Sequence, residues 1–148
     1  MGSSASRILP PRPPVAKGKK RLCVAGFTLS HHTNRARKIA DAIVSSQPEV
    51  YESWYYFDSK SYRDFLSTTI KPSLSDEQQS VFAAHKSSPF CWVESDDGSL
   101  DAKGGRDGLC EWALVEFSDF TAVTTLAQSG PSLSEAWVDE TPGTAPLS

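Results

Sequence analysis

The sequence predicts an α/β fold in which strands and helices follow the order β-α-β-α-β-β-α. A short apolar run at 21–27 predicts a buried first strand. In the next segment, 31–46, apolar residues recur at i, i+3, i+4, i+7 and i+8, which is the pattern of one face of a helix. Farther along, the Asp-Asp-Gly sequence at 96–98 predicts a tight turn between two antiparallel strands.

Local signals place the other boundaries. Ser30 is a natural N-cap for the first helix, and Gln47-Pro48 ends it. Asp58 or Ser59 caps a second helix, which ends before Pro72. The predicted strands are 21–27, 50–57, 90–94 and 99–102, and the predicted helices are 31–46, 59–71, 73–85 and 107–118.

The two ends of the chain lack this periodicity and differ in charge. Residues 1–20 are rich in Pro, Ser and Lys and contain no acid, so we expect an extended basic arm before a domain at 21–118. Residues 119–148 contain no Lys or Arg and predict an extended C-terminal tail. Such arms order along partners more readily than they pack alone. The residues expected to bind partners are Arg12, Lys17, Lys19, Lys20 and Trp137.

Composition narrows the classes of function. A net charge of -3 does not favour binding to nucleic acid. No apolar run is long enough to cross a bilayer. Three widely spaced cysteines do not form the pattern of a disulfide framework, which favours a reducing, cytoplasmic setting. The first six residues match the N-myristoylation pattern, so membrane binding is expected only if Gly2 is acylated.

Few side chains suggest chemistry. Ser30 stands where a helix N-terminus would activate a thiol, but a hydroxyl has a far higher pKa than a thiol and is explained by capping. His31 and His32 lack partners at metal-ligand spacing and are expected on the surface. The three cysteines, including Cys91, are expected to pack as small apolar residues.

Several short motifs occur in a characteristic order and spacing. They are Ala25-Gly26, Ala40-Asp41, the segment Tyr51–Trp54, Lys86-Ser87-Ser88-Pro89 leading to Trp92 and Glu94, and Gly104-Gly105 before a helix with Glu111. On these motifs, residues 21–118 resemble a glutaredoxin-like domain of the thioredoxin-like fold. They resemble more closely the N-terminal domain of the malate dehydrogenase 1B family of ciliated cells and sperm.

The resemblance implies a fold and a site. It implies a cis proline at Pro89 and a vestigial glutathione-type groove, formed by Ser30, Ser88, Pro89, Gly105 and Asp107. The Cys-Pro of the family's active-site turn is replaced here by Ser30-His31. Thiol–disulfide activity is therefore not implied, and no cofactor or catalytic residue is expected.

We therefore expect a redox-inactive thioredoxin-like module that serves as a structural or interaction part of a large assembly. The resemblance implies the ciliary or flagellar axoneme, with microtubule-associated protein partners. The alternative is a glutathione-linked protein, either a transferase that uses Ser30 to hold a bound thiolate or an oxidoreductase that uses Cys91.

Overall fold

The computed structural model describes residues 12–142, whose strands form a mixed sheet with helices on both faces. The strands are β1 Lys20–Gly26, β2 Tyr51–Phe57, β3 Phe90–Ser95, β4 Leu100–Gly104 and the two-residue β5 Thr141–Pro142. The helices are α1 His31–Ser46, α2 Tyr62–Phe65, α3 Asp76–Val81, α4 Arg106–Glu116 and α5 Thr121–Gln128. The predicted α/β class is confirmed.

The strand order is β4-β3-β1-β2-β5. The neighbours β1 and β2 run parallel, since α1 carries the chain back between them, and the other pairs are antiparallel. β1 is therefore central, and its residues from Arg21 to Gly26 are buried. The turn predicted at 96–98 joins β3 to β4, and Gly98 there has a φ of 90°, which favours glycine.

Alternation along β1 divides the core into two layers. Leu22 and Val24 face the layer covered by α1, α4 and α5. Ala36, Ile39, Ala40 and Ile43 of α1 are completely buried there, as their helical spacing predicted.

Aromatic side chains fill the other layer, against which α2 packs. Trp54 and Tyr56 of β2 meet Phe65 of α2 and Trp92 of β3. The rings of Tyr56 and Phe65 are stacked, with centroids 4.2 Å apart. This layer explains why β2 is rich in large rings.

The second predicted helix is shorter and less regular than expected. After α2 the chain forms a π-helical segment, Leu66–Ile70, and a 3₁₀ turn, Lys71–Ser73. The hydroxyls of Ser67 and Thr68 donate to the carbonyl groups of Arg63 and Asp64 and so compete with regular helical bonding. Of the helix predicted at 73–85, only α3 is α-helical.

The N-terminal segment is packed against the domain rather than extended away from it. The Arg12 guanidinium pairs with Glu94, and the Gly18 amide donates to Asp96 at 2.8 Å. The buried Arg21 donates to Glu94 at 3.0 Å and to the Pro14 carbonyl at 3.2 Å. The expectation of an arm that packs poorly without a partner is wrong for residues 12–19, which Glu94, Asp96 and Arg21 hold on the domain.

The residues expected to bind partners therefore differ in availability. Arg12 is engaged inside the domain, whereas Lys20, the first residue of β1, is exposed. Lys17 is exposed and Lys19 is half-buried. Gly2, the candidate acylation site, lies outside the described residues.

The expectation of an extended tail is also wrong for most of the described C-terminal residues. Helix α5 packs on the core through Val123 and Ala127, and Val138 is buried in the same layer. The i, i+4 spacing of Val123 and Ala127 is helical, but the surrounding prolines and small polar residues obscured it.

The free edge of β4 is occupied by a side chain from α3. The Gln78 amide oxygen accepts from the Ala102 amide at 2.9 Å, and its nitrogen lies 3.4 Å from the Ala102 carbonyl oxygen. The same nitrogen donates to the Asp101 carboxylate at 2.9 Å. Gln78 thus pairs with the edge of the sheet as a neighbouring strand would.

Between residues 12 and 142, every helix is too short or too polar to cross a membrane.

We predict that Gly108→Ala destabilises the protein by about 2 kcal/mol or more, because overpacking at a rigid contact forces the backbone to move. A methyl group at Gly108 in α4 would overlap the Lys103 carbonyl oxygen. Gly130→Ala is the matched control, since a methyl group there meets no atom within 4 Å. Urea unfolding followed by circular dichroism measures both; equal stabilities would contradict the close approach of α4 and β4.

Candidate functional site

The predicted site lies where the loop after β1 enters α1. The Ser30 hydroxyl accepts from the Thr33 amide at 3.2 Å, so the predicted N-cap is confirmed. Ser30 is half-buried, and α1 has no acidic residue in its first turn. The hydroxyl is therefore used to satisfy a free helix amide.

Two further hydroxyls hold the loop before Pro89 against this helix. The Ser88 and Thr33 hydroxyl oxygens lie 2.5 Å apart, and Ser88 also accepts from the Phe27 amide at 2.8 Å. Gly26 makes room for this contact, since a methyl group there would overlap Ser88 and lie 2.5 Å from the Thr33 hydroxyl. Ser30 and Ser88 are thus connected through Thr33, which the sequence analysis missed.

Pro89 and Gly105 are neighbours. The Ser88-Pro89 bond is cis, as predicted, and a methyl group on Gly105 would lie 3.6 Å from the Pro89 carbonyl oxygen. That oxygen is 3.1 Å from Nε2 of His85, whose pKa is lowered by burial. Asp107, by contrast, is 89% exposed on the first turn of α4 and pairs with Arg106 at 3.2 Å.

A segment from the C-terminal part of the chain runs beside this site. We call residues 129–142 the C-terminal strap. The Val138 amide donates to the Thr28 carbonyl at 2.9 Å, and the Asn34 side chain donates to the Trp137 carbonyl at 2.9 Å. The strap then pairs with the end of β2 as β5. It therefore contacts both the loop before α1 and the first turn of that helix.

A buried ion pair fixes the strap to α1. Arg35 donates to both carboxylate oxygens of Glu135, at 2.8 and 2.6 Å. Its remaining donors reach the carbonyl oxygens of Leu126, Ser129 and Gly130 at 2.9, 2.7 and 3.1 Å. Arg35 is 5% exposed and Glu135 is 3% exposed. The guanidinium therefore bonds to the end of α5 and to the strap at the same time.

The pKa values follow from this geometry. The hydrogen bond from Arg35 lowers the pKa of Glu135 to about 2, and the same bond raises the pKa of Arg35. The Ser132 amide adds a second donor to Glu135 at 3.1 Å. The pair was missed because its members are separated by 100 residues; the only available signal was a glutamate in a region without Lys or Arg.

The three cysteines lie in β1, β3 and α4. Cys23 and Cys91 are fully buried and Cys110 is 7% exposed. Burial raises the pKa of all three thiols, which lowers the fraction of reactive thiolate. Cys91 packs in the apolar layer under α1.

Trp137 on the strap lines two surface cavities of about 350 and 380 Å³. The five predicted groove residues line neither of these cavities. Among residues 12–142, no group of three His, Cys, Asp or Glu side chains is arranged to hold a metal ion.

Comparison with known proteins returned no matching family model, no matching curated protein and no matching solved structure.

We predict that Glu135→Gln destabilises the domain by about 3 kcal/mol at pH 7, because it leaves the buried Arg35 without a counter-charge. The pKa of Glu135 in the folded state, about 2, lies below the ordinary value of 4.5. Its stabilising contribution is therefore complete above pH 4.5 and is lost as the pH falls toward 2. Urea unfolding at several pH values measures this dependence.

The exposed Glu49 provides the control: Glu49→Gln should change stability by less than about 0.5 kcal/mol. A Glu135→Gln protein with wild-type stability at pH 7 would mean that the ion pair does not hold the strap.

Proposed function

We propose that this chain is a thioredoxin-like domain without thiol chemistry that works as an interaction module in a larger protein assembly. The strand order supports the fold assignment: β4-β3-β1-β2, with β1 and β2 parallel and the other two pairs antiparallel. The helix α1 crosses between the parallel strands, and α4 covers the sheet after the hairpin.

The start of α1 carries the functional part of the proposal. In a thiol oxidoreductase of this layout, the helix N-terminus stabilises a thiolate. Here Ser30 occupies that position, and its hydroxyl accepts a hydrogen bond from a helix amide. Reaching a comparable fraction of alkoxide would require far more stabilisation than a helix terminus supplies. The side chain is therefore suited to capping and not to nucleophilic attack.

The strap supports a binding role in the same region. It is bonded to Thr28 and Asn34 on either side of Ser30 and is anchored through the buried Glu135. Its exposed side chains thereby join the surface formed by the start of α1. A rigid surface with exposed side chains is suited to recognition by another protein.

Introducing a thiol tests the part of the proposal that concerns thiol chemistry. We predict that Ser30→Cys creates a thiol whose pKa falls from about 8.5 to about 7 or below, because free helix amides stabilise the thiolate. The pH dependence of alkylation by iodoacetamide measures this value, and the buried native cysteines should react slowly. The wild-type protein should not reduce bis(2-hydroxyethyl) disulfide above background.

Two results would contradict the proposal. Disulfide reduction by the wild-type protein that is abolished in Cys91→Ser would identify an oxidoreductase. Saturable binding of reduced glutathione in calorimetry, lost in Ser30→Ala, would instead favour the transferase alternative.

Placement of the module in the ciliary or flagellar axoneme is a proposal that rests on the sequence resemblance. The partner surface we propose is the acidic surface of microtubules, contacted by the exposed Lys17. Arg12 is omitted from this surface because it pairs with Glu94.

We predict that Lys17→Glu weakens co-sedimentation with stabilised microtubules several-fold at low salt, and that high salt removes the difference. Lys86→Glu, at another exposed position, is the matched charge control. Equal effects of the two substitutions would indicate non-specific attraction and would count against a basic contact surface at Lys17.

A further inference from the structure

Trp137 is exposed although the chain on both sides of it is fixed. Its indole is 55% exposed, whereas Glu135 and Val138 are 3% and 6% exposed. Its carbonyl accepts from Asn34, and the next amide donates to Thr28. The ring is therefore presented on a rigid backbone, so a partner would lose little conformational entropy of the backbone on binding it.

The surface around the indole is acidic. The two cavities lined by Trp137 are lined also by four carboxylates and two basic residues. We call Trp137 and these carboxylates the Trp137 surface; the carboxylates are those of Asp41, Asp58, Asp139 and Glu140. A surface of this charge repels an acidic partner and attracts a basic one.

Two of the four carboxylates are already engaged. Asp41 pairs with Arg37 at 2.9 Å and accepts from the Tyr55 hydroxyl at 2.5 Å. Asp58 accepts from the Lys60 amide at 3.0 Å and from a neighbouring serine hydroxyl. These two groups therefore contribute to the electrostatic field but are held by their own neighbours.

The other two carboxylates are available. Asp139 and Glu140 are exposed and make no ion pair with any residue between 12 and 142. They follow Trp137 by two and three residues, so all three side chains belong to one short stretch of the strap.

We propose that the Trp137 surface binds a basic segment of a partner protein. An Arg or Lys side chain of that segment lies on the face of the Trp137 indole, where the ring attracts a cation. Neighbouring cations pair with Asp139 and Glu140. This inference rests on the proposed interaction function and names the chemistry of a partner for that same region.

A basic partner is favoured because apolar and acidic partners would both bind this surface less favourably. An apolar segment would gain from the indole but would have to remove water from two unpaired carboxylates. An acidic segment would meet like charges. A basic segment satisfies the ring and the carboxylates together, and Trp and Arg are both enriched among the residues that dominate binding at the centre of interfaces.

A synthetic peptide of alternating Arg and Gly, with blocked ends, is the probe. Calorimetric titration of the folded protein at low and high salt should give saturable binding that weakens with salt. Trp137→Ala should weaken binding about tenfold. Asp139→Asn/Glu140→Gln, which keeps the indole, should weaken it several-fold and reduce the dependence on salt.

Matched controls separate this surface from general charge and from folding. Leu133→Ala removes the other large apolar side chain exposed on the strap, which is 90% exposed, and should leave affinity unchanged. Glu111→Gln/Asp119→Asn removes the same charge elsewhere. Urea unfolding of each variant confirms that the strap remains in place, since its release would lower stability.

The outcomes are distinct. Affinity that is unchanged by Trp137→Ala, or reduced equally by both double substitutions, would overturn the proposal. So would concentration-dependent self-association that Trp137→Ala abolishes, because the occupant would then be a second copy. None of these results would be evidence for thiol chemistry. The Ser30→Cys and disulfide-reduction measurements test that question separately.

Discussion

The hydrogen-bonded ion pair between Arg35 and Glu135 holds the C-terminal strap and the end of α5 to α1. One guanidinium in α1 bonds to the end of α5, to Gly130 and to the strap carboxylate. Because both charged groups are buried, displacement of either would leave the other unpaired in a poorly solvated environment. The orientation of α1 and the course of the strap are therefore linked, and so is the position of Trp137, two residues after Glu135.

A second ionic cluster acts similarly on the opposite face of the sheet. Arg21 joins Glu52 and Glu94 on neighbouring strands, and Glu94 also binds Arg12 and accepts from the Trp92 indole at 2.9 Å. The domain thus secures a terminal segment on each face with a buried arginine. The strap adds Val138 to the core, and the N-terminal segment places the Arg12 guanidinium over the buried Trp54 ring.

The sequence predicted the structural features that depend on interactions between residues close together in the chain. The pattern at 31–46 gave α1 with its observed limits, Ser30 gave its cap, and 96–98 gave the hairpin. Arg35 escaped notice because its partner is 100 residues away. For the same reason residues 12–19 and 119–142 were interpreted as parts of an extended arm and an extended tail. Of the predicted groove residues, Pro89 and Gly105 lie together. Asp107 is exposed to solvent, and the Ser88 hydroxyl is hydrogen-bonded to Thr33.

The contact between Gln78 and Ala102 affects whether copies of this domain can associate through their sheet edges. An open strand edge is a template on which another strand can grow, and crowding many copies together increases that danger. By satisfying both backbone groups of Ala102, one side-chain amide from α3 makes the outer edge of β4 a poor template. The domain can then be concentrated in an assembly while its sheet resists merging with the sheet of its neighbour.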